Sequence, residues 1–193
     1  HADANFVLSA ILDSKTNLQI QSWREYVASV RKSLLLKDAA NIASNNYVEP
    51  FDFVLALQKL TIESDQIIPC SSGGAYTTMM QAFELKAGQI MITDKGLASM
   101  GYGLSGAIGA SLANPNARTI LTEGDGGFAQ NFQELGTAQL RKLNLKIFIY
   151  SNQGYASIRT MQKSYFNGNY IGCDANTGVG LPDWNKVFDS FGI

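Results

Sequence analysis

Asp125 stands in a glycine turn, Gly124-Asp125-Gly126-Gly127, and Asn152 follows 27 positions later. Each closes an apolar run. Arg118-Thr119-Ile120-Leu121-Thr122 precedes the aspartate, and Leu145-Lys146-Ile147-Phe148-Ile149-Tyr150 precedes the asparagine. A carboxylate, an amide oxygen and a loop carbonyl form a set of hard oxygen donors, and a glycine turn lets phosphate approach backbone N–H groups. Together they suit Mg²⁺ held with a diphosphate.

The elements that must position these residues lie between and around them. Phe132, Leu135, Leu140 and Leu143 mark the apolar side of a helix, so the stretch reads as strand, crossover helix, parallel strand. Parallel neighbours end at the same sheet edge, where open α/β sheets bind ligands. Earlier, Trp23, Tyr26, Val27, Val30 and Leu34 recur at helical spacing, while residues 2–20 carry no marked pattern. Residues 37–49 are polar and asparagine-rich, as a linker would be. Pro50 opens a helix through Phe51, Val54, Leu57 and Leu60. Strands are expected at 66–70 and 89–93, helices at 75–86 and 103–113, and a last helix from Leu181-Pro182-Asp183-Trp184. This alternation gives the fold class as α/β, a doubly wound, mainly parallel sheet flanked by helices.

Composition narrows the partners. Of 193 residues, 46% are hydrophobic and 16% charged, which fits one globular domain with much buried strand. A net charge of −1 gives no electrostatic case for nucleic acid or an anionic membrane. No apolar run is long enough to span a bilayer, and no signal peptide is visible. Cys70 and Cys173 offer neither a disulfide framework nor zinc spacing, and reduced thiols fit a cytoplasmic protein. The only histidine is His1, so no internal histidine can act as a base.

Two further segments bear on phosphate. Ser71-Ser72-Gly73-Gly74-Ala75 joins a strand end to a helix start, a place for an anion nest. Gly96-Leu97-Ala98-Ser99-Met100-Gly101-Tyr102-Gly103-Leu104 is glycine-rich and leads into Ala107-Ile108-Gly109-Ala110. With the GDG turn and its asparagine, these segments resemble the thiamine-diphosphate-dependent enzymes of the acetolactate synthase, pyruvate oxidase and decarboxylase group. The resemblance is to their C-terminal, pyrophosphate-binding domain. It covers residues 70–193, with lower specificity at 1–20.

The resemblance implies specific roles. Asp125, Asn152 and the Gly154 carbonyl would hold Mg²⁺. Ser72, Gly73, Gly74, Gly124, Gly126 and Gly127 would cradle the diphosphate. Backbone near Ala98, Ser99 and Met100 would meet the aminopyrimidine, and the Met100 side chain would wedge the cofactor into a V shape. Tyr155 and Ala156 complete the cofactor-binding set. The sequence departs from the family at three places: Ser151 replaces the first asparagine of the usual pair, Gly127 the usual serine, and Gly73-Gly74-Ala75 a Gly-Gln-His stretch. The stretch after Asn152 also differs from that of acetolactate synthases. Ser157 and Thr160-Met161 stand where those carry a methionine and a Gln-Trp pair, and Arg159 is a candidate for a substrate carboxylate.

The resemblance also implies a domain organisation. Residues 1–20 read as the tail of a preceding central domain, 21–49 as a helix and linker, and 50–193 as the diphosphate-binding domain, truncated at its C-terminus. The parent would be a lyase or transferase acting on 2-keto acids by decarboxylation and carboligation, with thiamine diphosphate and Mg²⁺, and FAD possible elsewhere in it. The activating glutamate would come from a pyrimidine-binding domain, usually on a second subunit of a homo-oligomer. No catalytic residue is therefore expected here, and the chain alone should be inactive. Two alternatives stand beside this reading. One is a nicotinamide-binding Rossmann unit built on Gly101-Tyr102-Gly103-Leu104-Ser105-Gly106 with Glu123 or Asp125 as the ribose acid, although Asp94 to Gly101 make a long join. The other is a fragment that folds without binding ligand.

Overall fold

The computed structural model describes residues 3–14, 19–34, 36–37, 42–44 and 46–193. The chain divides into two compact units, His1–Ala39 and Ala40–Ile193. The first holds helices α1 (Ala4–Asp13) and α2 (Gln21–Ser33). Asp3 starts α1 by accepting the Asn5 and Phe6 amides at 2.9 and 3.2 Å, a side-chain cap. In α2, Trp23 and Tyr26 lie one turn apart with ring centroids 5.6 Å apart.

In the second unit, α3 (Pro50–Leu60) begins with proline at its first position and a Glu49 cap. Then follow β1 (Gln66–Ile68), α4 (Gly73–Ala82), β2 (Ile90–Met91), α5 (Tyr102–Ala113) and β3 (Thr119–Gly124). A short α6 (Asp125–Phe128), a 3-10 turn (Phe132–Glu134) and α7 (Leu135–Leu140) lead to β4 (Leu145–Tyr150). The chain closes with α8 (Ala156–Tyr165), a second 3-10 turn (Ala175–Thr177) and α9 (Trp184–Phe191).

The four strands form one parallel sheet in the order β2-β1-β3-β4. Alternate side chains feed opposite faces. Ile68 and Leu121 join Leu104, Ala107, Phe128 and Leu135 on the face covered by α5 and α7. Ile67 and Ile120 join Val54, Leu57 and Met79 on the face covered by α3 and α4. Helices on both faces of a parallel sheet make it doubly wound. A buried Gln66 amide ties β1 to β3 and α5, donating to Thr119 Oγ1 at 3.0 Å and to the Ala110 carbonyl at 3.1 Å. At the opposite end from the glycine turns, buried Asp65 receives Arg118 Nη2 at 2.6 Å and Nε at 3.0 Å.

Several elements depart from the sequence reading. Residues 4–13, within a stretch without a marked pattern, are helical. β1 stops at Ile68 because Pro69 has no N–H to give the ladder. β2 is two residues long and lies at the sheet edge. α4 ends at Ala82, four residues early, because Phe83 turns extended (φ −83°, ψ 117°) and is buried against α3. The crossover helix is split into the 3-10 turn and α7.

Candidate functional site

The parallel register pairs Gly124 with Tyr150, so the residues next along, Asp125 and Ser151–Asn152, leave the sheet side by side. Asp125 is 1% exposed, yet its carboxylate is densely hydrogen-bonded. Oδ2 accepts the amides of Asn152 (2.9 Å), Gln153 (2.7 Å) and Gly154 (3.3 Å), and Oδ1 accepts the Gly126 amide at 2.7 Å. The aspartate thus organises the 152–154 loop through its main chain. A carboxylate oxygen offers about two lone pairs. Oδ1, with one donor, retains one for a cation, whereas Oδ2 is saturated.

The loop is wound tightly. Gln153 is left-handed (φ 66°) and Gly154 has φ 129°. A Cβ on Gly154 would run into the Cys173 carbonyl oxygen, which also accepts the Tyr155 amide at 2.8 Å. Tyr155 then lays its ring across Gly126, leaving no room for a Cβ there, and its hydroxyl accepts Gln130 Nε2 at 2.9 Å.

These turns enclose a cleft of about 220 Å³. Ser72, Gly73 and Gly74 line it from one side, Met100 from another, and Gly124, Gly126, Gly127, Asn152, Gly154, Tyr155 and Ala156 from the rest. Asp125 itself lies beneath the lining. Ala98 and Ser99 do not reach the cleft. Ala98 is left-handed (φ 53°), the Ser99 carbonyl accepts Ser71 Oγ at 2.6 Å, and Ser99 Oγ turns to Asp94 Oδ2 at 3.0 Å. Met100 stays 45% exposed at the cleft. A larger cavity of about 920 Å³ lies elsewhere, between β4, α7 and α9, and touches none of the glycine turns.

The cleft has the features of an anion site. Neither α4, which starts at Gly73, nor α8, which starts at Ala156, has a side-chain cap. The Ala156 amide turns to the Gly154 carbonyl at 3.2 Å; the other first-turn N–H groups are left to pair with a ligand, and the helix dipoles favour negative charge. A Cβ on Gly73 or Gly74 would meet nothing within 4 Å, so the approach is open. The volume is below the roughly 300–1,000 Å³ typical of whole-ligand pockets. It suits a diphosphate and its metal, with the rest of a larger cofactor lying beyond.

Sequence reasoning missed part of this lining. Tyr150 and Ile158 face the same cleft, and so does Glu123, which the sequence offers only as a ribose acid; Ala75 of the expected anion nest and Ser157 of the stretch after Asn152 line it too. Glu123 is 3% exposed, and its Oε2 has no hydrogen-bond partner. Burial pushes its carboxyl up to about 7 from an ordinary value of 4.5, and the Gly103 and Leu104 amides hold part of that shift back. A carboxyl raised in the folded state binds its proton more tightly there than in the unfolded chain. Stability therefore falls as pH rises from about 4.5 to about 7 and levels off above. Glu123→Gln should remove that slope, at a scale of about 3 kcal/mol. Urea midpoints at pH 5 and pH 8 check it: the wild type should lose stability between them and the variant should not. Burial likewise pushes the Cys70 thiol up to about 12, which keeps it protonated and unreactive.

Arg159 is not free for a substrate carboxylate. Its guanidinium donates to the Asn152 carbonyl at 3.0 Å and lies 3.6 Å from Asp174. In the stretch resembling a dinucleotide fingerprint, residues 92–101 separate β2 from α5, so the tight strand-to-helix turn that a nicotinamide site needs is not there. Among the described residues, no helix is long and apolar enough to cross a membrane.

Comparison with known proteins converges on the same segments. The family model described as thiamine pyrophosphate enzyme, C-terminal TPP binding domain, matches residues 72–193. An acetolactate synthase large subunit from Cyanidium caldarium is 41% identical over 102 residues, 53% of this chain and 17% of that protein. A probable acetolactate synthase large subunit from Methanococcus aeolicus is 29% identical over 204 residues, 99% of this chain and 34% of that protein. Isozyme 2 of the large subunit from Escherichia coli (strain K12) is 39% identical over 102 residues, 53% of this chain and 18% of its own length. The chain thus spans about a third or less of the length of these relatives.

Proposed function

The chain belongs to the thiamine pyrophosphate enzymes as their C-terminal TPP-binding domain, and from that premise we propose that its cleft holds the diphosphate end of the cofactor through Mg²⁺. The observation that carries this reading is the pair of uncapped helix starts, α4 and α8, facing one cleft beside Asn152. The first-turn amides of α4, and those of Ser157 and Ile158 in α8, would take phosphate oxygens. Asp125 Oδ1, the Asn152 side-chain oxygen and the Gly154 carbonyl would hold the metal. The Gly154 carbonyl accepts the Ala156 amide at 3.2 Å and keeps a second lone pair. Met100, half-exposed beside the cleft, would support the cofactor from below.

When bound, thiamine diphosphate would supply carbanion chemistry next to a carbonyl group. This chain's residues bind, orient and screen. Tyr155 covers Gly126 and closes one wall of the cleft against water. The parent enzyme would act on 2-keto acids by decarboxylation and carboligation, in keeping with the relatives' name, acetolactate synthase. The group that activates the aminopyrimidine would come from a pyrimidine-binding domain, reaching the cleft from a second subunit. Without that domain, the chain alone should show little or no turnover of pyruvate.

Calorimetric titration of the chain with thiamine diphosphate, with and without Mg²⁺, tests the reading. Binding should need Mg²⁺ and should be lost in Asn152→Ala. Binding that ignores both the metal and the substitution would overturn it.

A further inference from the structure

The 152–154 loop is gripped from outside as well as inside. Two consecutive peptide planes, 152–153 and 153–154, have their N–H groups on Asp125 Oδ2. The carbonyls of the same two planes face Arg159. Nη2 donates to the Asn152 oxygen at 3.0 Å, and Nη1 reaches the Gln153 oxygen at 3.5 Å. Asp174 Oδ2 stands 3.6 Å from Nη1 and orients the guanidinium. Asp174 is itself fixed. Its Oδ1 accepts Thr177 N at 3.1 Å and Thr177 Oγ1 at 2.9 Å, and its carbonyl accepts the Val179 amide at 2.8 Å.

Such a clamp has a physical purpose. A glutamine at φ 66° is strained, and the adjoining glycine adds a conformation that side chains rarely adopt. A free loop would leave that arrangement for commoner ones. Holding both ends of each peptide plane removes those options before any ligand arrives. We infer that Arg159 is a positioning residue that presets the Asn152–Gly154 metal loop through its main-chain carbonyls, with Asp174 as its anchor. The inference rests on reading that loop as the metal site. Lysine cannot substitute, because one ammonium does not span two carbonyls and a carboxylate.

Hydrogen exchange at single amides in the ligand-free chain tests this without cofactor. In Arg159→Met the Gln153 and Gly154 amides should exchange at least about tenfold faster, while β3 and β4 amides stay as in the wild type. Arg159→Lys should resemble Met. Asp174→Asn should shift the same amides by less, and it carries the test should the methionine variant fail to fold. Mn²⁺ binding measured by electron paramagnetic resonance, with thiamine diphosphate present, should weaken about tenfold in Arg159→Met. Unchanged exchange at 153 and 154 in the substituted chains would overturn the inference, as would an equal rise across β3 and β4. Faster exchange at 153 and 154 in a chain whose wild type binds no Mn²⁺ would uphold the clamp and refute the metal reading.

Discussion

Asp125→Ala is expected to unfold the site and abolish metal-dependent cofactor binding together. The carboxylate accepts four backbone amides, two of them, at Gly126 and Gly154, fully buried. A buried donor left without a partner costs about 1–3 kcal/mol. The Asn152 and Gln153 amides can turn to water, so the expected loss is about 3 kcal/mol in total. Asparagine should rescue stability only in part, because either orientation of its amide sets the NH2 group against a donor, three amides at the Oδ2 position or the Gly126 amide at the Oδ1 position. Cofactor affinity with Mg²⁺ should fall by more than the roughly 10–100-fold typical of losing an outer-shell partner. Asn152→Ala separates the two effects. Its side chain is exposed, so unfolding should move by no more than about 0.5 kcal/mol while metal-dependent binding is lost. Denaturant unfolding of both variants decides the matter. An Asp125→Ala chain as stable as the wild type would show that the loop does not depend on its carboxylate.

Gly154→Ala should be nearly as damaging, although it adds one methyl. At φ 129° a side chain is strained by about 1–3 kcal/mol before any contact is counted. The new Cβ would also collide with the Cys173 carbonyl and come within 3.2 Å of Asp174 Cα. Both are backbone atoms in a segment pinned by the Asp174–Thr177 capping box, so neither can step aside cheaply. The expected loss exceeds about 3 kcal/mol, with the Tyr155–Cys173 hydrogen bond broken. Gly124→Ala is the control. Its φ of −77° suits any residue and its Cβ would meet nothing within 4 Å, so stability should change by less than about 1 kcal/mol. Equal stability of the two alanine variants would refute the account of the loop.

The site was legible where chemistry is written in side chains. The carboxylate, the asparagine and the glycine turns could be placed at one sheet edge because parallel strands end together, and the β3–β4 register sets them side by side. The work of the backbone could not be read. Nothing in the residue types says that Asp125 spends its oxygens on three successive amides, or that Arg159 turns back onto carbonyls of its own loop. The resemblance gives Ser99 a place in the cofactor-binding set through its backbone, and nothing in its residue type shows that its hydroxyl points to Asp94. Glu123 is hidden by its position before the motif, where strand alternation gives no warning that an acid faces the cleft. Among the elements, α1 escapes because Phe6, Val7, Leu8, Ile11 and Leu12 spread around the helix and leave no stripe. Its Asp3 cap is the usable signal. The shortening of α4 could not be foreseen, since it comes from the space that Phe83 fills against α3.

The grip of Asp125 on main-chain amides makes the 152–154 loop largely blind to the letters it is written in. Every residue but proline carries the same N–H, so the hold on the 152–154 amides does not read their side chains, while φ 66° at Gln153 disfavours β-branched residues there. The hold uses neither the side chain nor the amide of Ser151, where the family carries the first asparagine of its pair. The vocabulary that this hold requires is small: an acid at 125 and, at 154, a residue with no side chain.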